Sequence, residues 1–121
     1  MEDNQLVVLS KAFAISTIEL CERMKSRGKA TAVIDQMLRS GTSIGANIHE
    51  ANYAASRADF INKLQIALKE CFETDYWLDI FYDAKLITYE EHSQMMTQCS
   101  KIRRLLIASI TTAKRNAGTD T

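Results

Sequence analysis

The sequence predicts an all-α protein, an antiparallel up-down four-helix bundle. Three observations carry that expectation. The 121 residues include no proline and only 4 glycines. A proline inside a helix costs about 3 kcal/mol, so its absence suits long unbroken helices. Apolar residues recur three and four apart along most of the chain, the period of a helix with one buried stripe. The segments between these stretches are short, which sets consecutive helices antiparallel. No alternating strand pattern competes, and a sandwich or barrel would need more turn residues.

The length suits a single domain over residues 1–121. The first helix is expected over about residues 5–25, where Leu6, Leu9, Phe13, Leu20 and Met24 share a stripe widened by Val7, Ile18 and Cys21. Gly28 is its natural stop, because glycine enters the left-handed conformation at no steric cost. The second helix is expected over about residues 31–52, with Ile34, Met37, Leu38, Gly41, Ile44, Gly45 and Ile48 on one face. Gly41 and Gly45 predict a close approach by a neighbouring helix, since each glycine otherwise costs up to about 1 kcal/mol.

Ser56 is a candidate N-cap for a third helix over about residues 57–83, with Asp59 in its first turn. Phe60, Ile61, Leu64, Ala67, Leu68, Cys71, Phe72, Leu78, Phe81 and Tyr82 form a broad apolar face there. Thr88-Tyr89-Glu90-Glu91 is a full capping box for a fourth helix over about residues 89–113. Met95, Cys99, Ile102, Leu105, Leu106 and Ile110 are its core positions. The polar tail 115–121 is expected to fray.

Cys21, Cys71 and Cys99 are odd in number, far apart and set in apolar stripes. They predict reduced core thiols and a cytoplasmic protein. No signal peptide is expected, and no apolar run approaches the length of a membrane span. No membrane role is expected.

Catalytic chemistry is not encoded at any recognisable spacing. The phosphate-binding, dinucleotide-binding, zinc-protease and nucleophile-elbow motifs are all missing. His49 and His92 are the only histidines, and no Glu-x-x-His pair is available for a metal site in the bundle. We expect no catalytic, cofactor-binding or metal-binding residue. Asp75 lies close to the apolar stripe in angle, which predicts a basic or amide partner for it.

Charge is balanced overall, 15 basic against 15 acidic residues, yet it is unevenly distributed. The middle of the chain, from Glu50 to Glu91, is mainly acidic. Lys101, Arg103, Arg104, Lys114 and Arg115 follow with no acid among them, and Arg23, Lys25, Arg27 and Lys29 form a second such group. These nine positions are the candidates for nucleic-acid binding. No aromatic residue is interleaved with them in sequence, which predicts electrostatic, non-specific binding to RNA or DNA without stacked bases. The competing reading is a set of charges that only solvate the bundle.

Two helix faces remain once the core is filled. Arg39, Ser43, Asn47 and Glu50 lie on the back of the second helix, beside Ala46. Ile66, Trp77 and Ile80 lie on the back of the third, with Glu70 and Glu73 alongside. One reading is a subunit interface in which Arg39, Ser43, Asn47, Glu50, Ile66, Glu73, Trp77 and Ile80 take part, the polar members fixing register. The other is an ordinary polar surface with Trp77 folded over the bundle edge.

The block Leu38-Arg39-Ser40-Gly41-Thr42-Ser43-Ile44-Gly45-Ala46-Asn47-Ile48-His49-Glu50-Ala51 resembles the signature of the 23S rRNA intervening-sequence proteins, also called the bacterial four-helix bundle protein family. The likeness continues through Ala58-Asp59-Phe60, Ile66-Ala67-Leu68-Lys69-Glu70 and Tyr76-Trp77-Leu78. Many members have Glu-Gly where this chain has Glu50-Ala51, and Gly-Ser at Lys69-Glu70. The resemblance implies an up-down bundle assembled into a ring, typically a homopentamer. The expected function is therefore that of a non-enzymatic oligomeric accessory or scaffold protein with non-specific nucleic-acid binding. The alternative is a scaffold for another protein with no nucleic-acid role.

Overall fold

The structure, a computed structural model, describes residues 2–28 and 31–119, with side chains over 5–28 and 32–116. Four helices follow one another: α1 (Glu2–Ser26), α2 (Thr31–Ala51), α3 (Arg57–Asp83) and α4 (Tyr89–Thr119). Each packs on its neighbours in sequence, and α1 also packs on α4; the diagonal pairs α1–α3 and α2–α4 stay apart. This closed cycle is an up-down four-helix bundle. The α4 helix continues to Thr119, beyond the last core residue, Ile110, and into the stretch whose composition suggests fraying.

The helix ends follow local chemistry. Gly28 sits at φ 71°, and its amide donates to the Lys25 carbonyl at 3.0 Å. Ser56 accepts the Asp59 amide at 3.1 Å and caps α3. The α3 C-terminus is a Schellman motif: Leu86 donates to the Phe81 carbonyl at 2.8 Å and Lys85 to the Tyr82 carbonyl at 3.0 Å. Lys85 is left-handed, at φ 62°. At α4, Glu91 donates its amide to the Thr88 hydroxyl at 3.1 Å while its carboxylate accepts the Thr88 amide at 2.9 Å. Both halves of the capping box are therefore made.

The core joins Leu6, Phe13, Leu20 and Met24 of α1 to Ile34, Met37, Ile44 and Ile48 of α2. Leu64, Cys71, Leu78 and Phe81 of α3 and Met95, Cys99, Ile102 and Leu106 of α4 complete it. All three cysteines are free, buried thiols. Burial raises the Cys21 thiol pKa to about 11, and the adjacent Cys71 together with burial raises that of Cys99. Neither thiol is activated for chemistry.

The apolar face expected on α3 is narrower than its composition suggests. Phe72 and Tyr82 are largely outside the core, as is Ile18 of α1. Each follows or flanks a core position by about 100° of rotation, which turns its side chain onto the shoulder of the helix. Small hydroxyl residues occupy core positions that the apolar count passes over. Thr17 donates to the Phe13 carbonyl at 2.9 Å, and Thr74 to the Glu70 carbonyl at 2.7 Å, so neither is buried unsatisfied.

Gly41 is the tightest point of the α1–α2 seam. A Cβ there would lie 2.7 Å from both terminal atoms of the Thr17 side chain. At Gly45 it would meet the Ser10 carbonyl oxygen at 3.3 Å. Gly41→Ala should therefore destabilise the fold by roughly 1–3 kcal/mol through overpacking. In a double-mutant cycle followed by thermal melting, Thr17→Ala should recover part of that loss. Additive effects would show that Thr17 is not the obstructing group.

Candidate functional site

The basic residues divide into two sets. At one pole, the α1 C-terminus meets the α4 N-terminus through Glu91. Arg23 Nε donates to its carboxylate at 2.9 Å, and the two terminal nitrogens of Arg27 donate at 3.1 and 3.0 Å. The same carboxylate caps α4 through Thr88. Hydrogen bonding from Arg27, helped by Thr88 and Arg23, lowers the Glu91 pKa to about 2 against the opposing effect of burial. Lys25 pairs with Asp35 at 3.2 Å.

Midway along the α3–α4 seam, Arg103 is drawn inward. It forms a charge-assisted hydrogen bond to Asp75, donates to the Ser100 hydroxyl at 3.2 Å, and lies over the Phe72 ring at 5.8 Å. This is the partner that the angular position of Asp75 predicts. The second carboxylate oxygen of Asp75 is buried without a hydrogen bond. Burial raises the Asp75 pKa even though Cys99 and Arg103 oppose the shift.

Lys101, Arg104, Lys114 and Arg115 differ from these residues. All four are exposed on α4, and among the described residues none has an ion pair or hydrogen-bond partner. Lys29 lies outside the described residues. The eight described candidates thus fall into bases fixed by carboxylates and bases left open to solvent, a distinction that depends on contacts between helices.

The proposed interface residues are also sorted by their contacts. Arg39 bridges α2 to α3, donating to Glu70 at 3.0 and 3.2 Å and to Glu73 at 2.6 Å. Trp77 Nε1 donates to Glu73 at 3.1 Å. Arg39, followed by Trp77, lowers the Glu73 pKa, and the pairing raises that of Arg39. Glu50 pairs with Lys63 at 3.0 Å. Ser43 and Asn47 turn onto their own helix, donating to the carbonyls of Arg39 and Ser43 at 2.6 and 2.9 Å. Ile66 is half-buried.

The apolar surface lies one step round α3, where Phe72 and Tyr76, not among the interface residues expected from the sequence, join Ile80, which is. Phe72, Tyr76 and Ile80 recur every four residues and are 54%, 56% and 37% exposed. The Tyr76 ring meets Trp77 edge-on at 5.1 Å. On the opposite side of the bundle, α1 exposes Val8, Ile15 and Ile18. The i, i+4 spacing on α3 was a readable signal, but Phe72 also fits an apolar core stripe.

The model of the 23S rRNA-intervening sequence proteins matches residues 2–108. The chain belongs to that family. Its fold is shared with a crystal structure of a protein of unknown function from the S23 ribosomal protein family of Bacteroides thetaiotaomicron VPI-5482. The two are 45% identical, with a TM-score of 0.89, over 92% of this chain and 99% of that one. No curated protein matches the chain. Neither the family description nor that of the structural relative names an enzymatic activity. Among the described residues there is no cluster of metal-ligating side chains, and no helix is long and apolar enough to cross a membrane.

The lowered pKa of Glu91 sets an acid limit. A depressed carboxylate contributes stability that is fully present above its unfolded value, 4.5, and is lost as pH falls toward about 2. Glu91→Gln should flatten the stability profile in this window and lower stability at neutral pH by roughly 1–2 kcal/mol. Denaturant titrations at several pH values check this; an unchanged acid limb would remove Glu91 from the account.

Proposed function

We propose that this protein is a non-enzymatic, self-associating bundle whose outer α4 face binds the phosphate backbone of nucleic acid. The observation that carries the reading is that Lys101, Arg104, Lys114 and Arg115 have no ion-pair or hydrogen-bond partner among the described residues, on a helix with no acid between His92 and Gly118. Phosphates would replace the counterions of such a face, giving affinity that falls with salt and little base preference. The reduced, buried cysteines suit a reducing compartment, the cytoplasm.

Self-association is supported by the exposed apolar stripes on α1 and α3. These helices are diagonal in the bundle, so their outer faces point in opposite directions. A patch on one side that meets a different patch on the next copy is a head-to-tail contact, which generates a ring when the rotation closes. A homopentamer is the proposed size, and it would repeat the α4 face and add avidity. The same stripes could instead hold another protein, in which case the bundle is a protein scaffold with no nucleic-acid role.

Two measurements test these claims. Light scattering should give a multiple of the 13.7 kDa protomer mass. Tyr76→Glu should shift the protein toward monomer with its helicity retained. A monomer at micromolar concentration in the unsubstituted protein would refute self-association. In binding titrations, the logarithm of the affinity constant should fall linearly with the logarithm of salt concentration, and Arg104→Ala should reduce the slope by about one phosphate contact. No binding to RNA or DNA at low salt would leave the protein-scaffold reading.

A further inference from the structure

The turn between α3 and α4 brings together three rings that sequence spacing separates. The Tyr82 ring lies 4.9 Å from that of His92 and 6.2 Å from that of Tyr89, centroid to centroid. His92 Nε2 and Asp79 Oδ1 are 2.9 Å apart, which fixes the imidazole. Tyr89 is the outermost of the three, 65% exposed at the first position of α4. It opens a shallow groove of about 430 Å³ that runs along α4 past His92, Ser93, Thr97 and Ser100 to Arg104.

We propose that this groove binds a short single-stranded nucleic acid, with one base stacked on Tyr89 and backbone phosphates on Arg104 and Lys101. The inference rests on the α4 reading above and adds a preference for single strands. Tyr89 and Arg104 are fifteen residues apart on one helix, a span of about 22 Å. That is long enough for several nucleotides. None of the groove residues is acidic, and Arg104 and Lys101 have no carboxylate partner among the described residues. Asp83 and Glu90 lie at the tyrosine end, so phosphates track toward Arg104 while a base, uncharged, meets the tyrosine. The Tyr89 ring meets Tyr82 edge-on, and Tyr82 rests in turn on His92, so the tyrosine has limited orientational freedom to lose.

A duplex could use only the bases of this surface, because its own bases are already stacked; a single strand uses the tyrosine as well. An acidic peptide would also meet Arg104 and Lys101, but it has no aromatic base to place on Tyr89.

The test is fluorescence anisotropy at low salt with three labelled probes: an oligouridylate of about ten nucleotides, a duplex of the same length and an oligoglutamate. The length is chosen to fill a single-strand site. Tyr89 is exposed, so Tyr89→Ala leaves the core intact, and circular dichroism verifies this. The oligouridylate should bind more tightly than the duplex. Tyr89→Ala should weaken the oligouridylate about tenfold and leave the duplex unchanged, while Tyr89→Phe retains binding. If both nucleic acids bind and Tyr89→Ala changes neither, the stacking inference is overturned and the electrostatic reading survives. If neither binds, both fail. Oligoglutamate binding as tight as oligouridylate binding would overturn it in favour of an acidic protein partner.

Discussion

A carboxylate at the edge of an apolar bundle loses hydration worth several kcal/mol unless cations and amides replace the water. Glu91 has that replacement in full. The Thr88 amide, Arg23 and Arg27 all donate to it. One side chain thereby starts α4, holds the end of α1, and joins the first and last helices of the cycle. The same requirement operates at two further seams, where Asp75 draws in Arg103 and Glu70 and Glu73 draw in Arg39. Charge matching between helices is the constraint from which the surface properties follow.

It determines which cations remain for anything outside the chain. A guanidinium held between two carboxylate oxygens has little attraction left for a phosphate, and moving it would expose the carboxylate. Exposed lysines and arginines without partners keep their full field. On α4 these alternatives are neighbours in sequence: Arg103 turns to Asp75 and Arg104, 100° further round the helix, faces solvent. The apolar surface is divided in a similar way. Trp77 is held by Glu73 through its indole nitrogen, while Phe72, Tyr76 and Ile80 remain outside.

Most of the fold is legible in the sequence because its signals are local. The capping box at Thr88–Glu91, the N-cap at Ser56 and the left-handed Gly28 each require only a few adjacent residues. Gly41 and Gly45 announce a close helix contact, but their partners Thr17 and Ser10 are not apolar and leave no periodic trace. The candidate site is less legible. Whether Arg103 or Arg104 is available depends on the rotation of α4 against α3, and the rings of Tyr82, Tyr89 and His92 meet only because a Schellman motif at Lys85 turns the chain. These are properties of paired helices, and a periodicity read along one helix does not contain them.

The most direct measurement separates the two sets of cations. One variant carries Gln at Lys101, Arg104, Lys114 and Arg115; the other carries Gln at Arg23, Arg27 and Arg103. Each is measured both for thermal stability and for RNA binding at low salt. The account predicts that the first variant melts within about 0.5 kcal/mol of the parent and loses binding. The second should lose roughly 1–3 kcal/mol of stability, because it leaves Glu91 and Asp75 without their cationic partners, and retain binding below its melting transition. The opposite pattern, a destabilised first variant or a second variant of unchanged stability that no longer binds, would contradict the assignment of these residues.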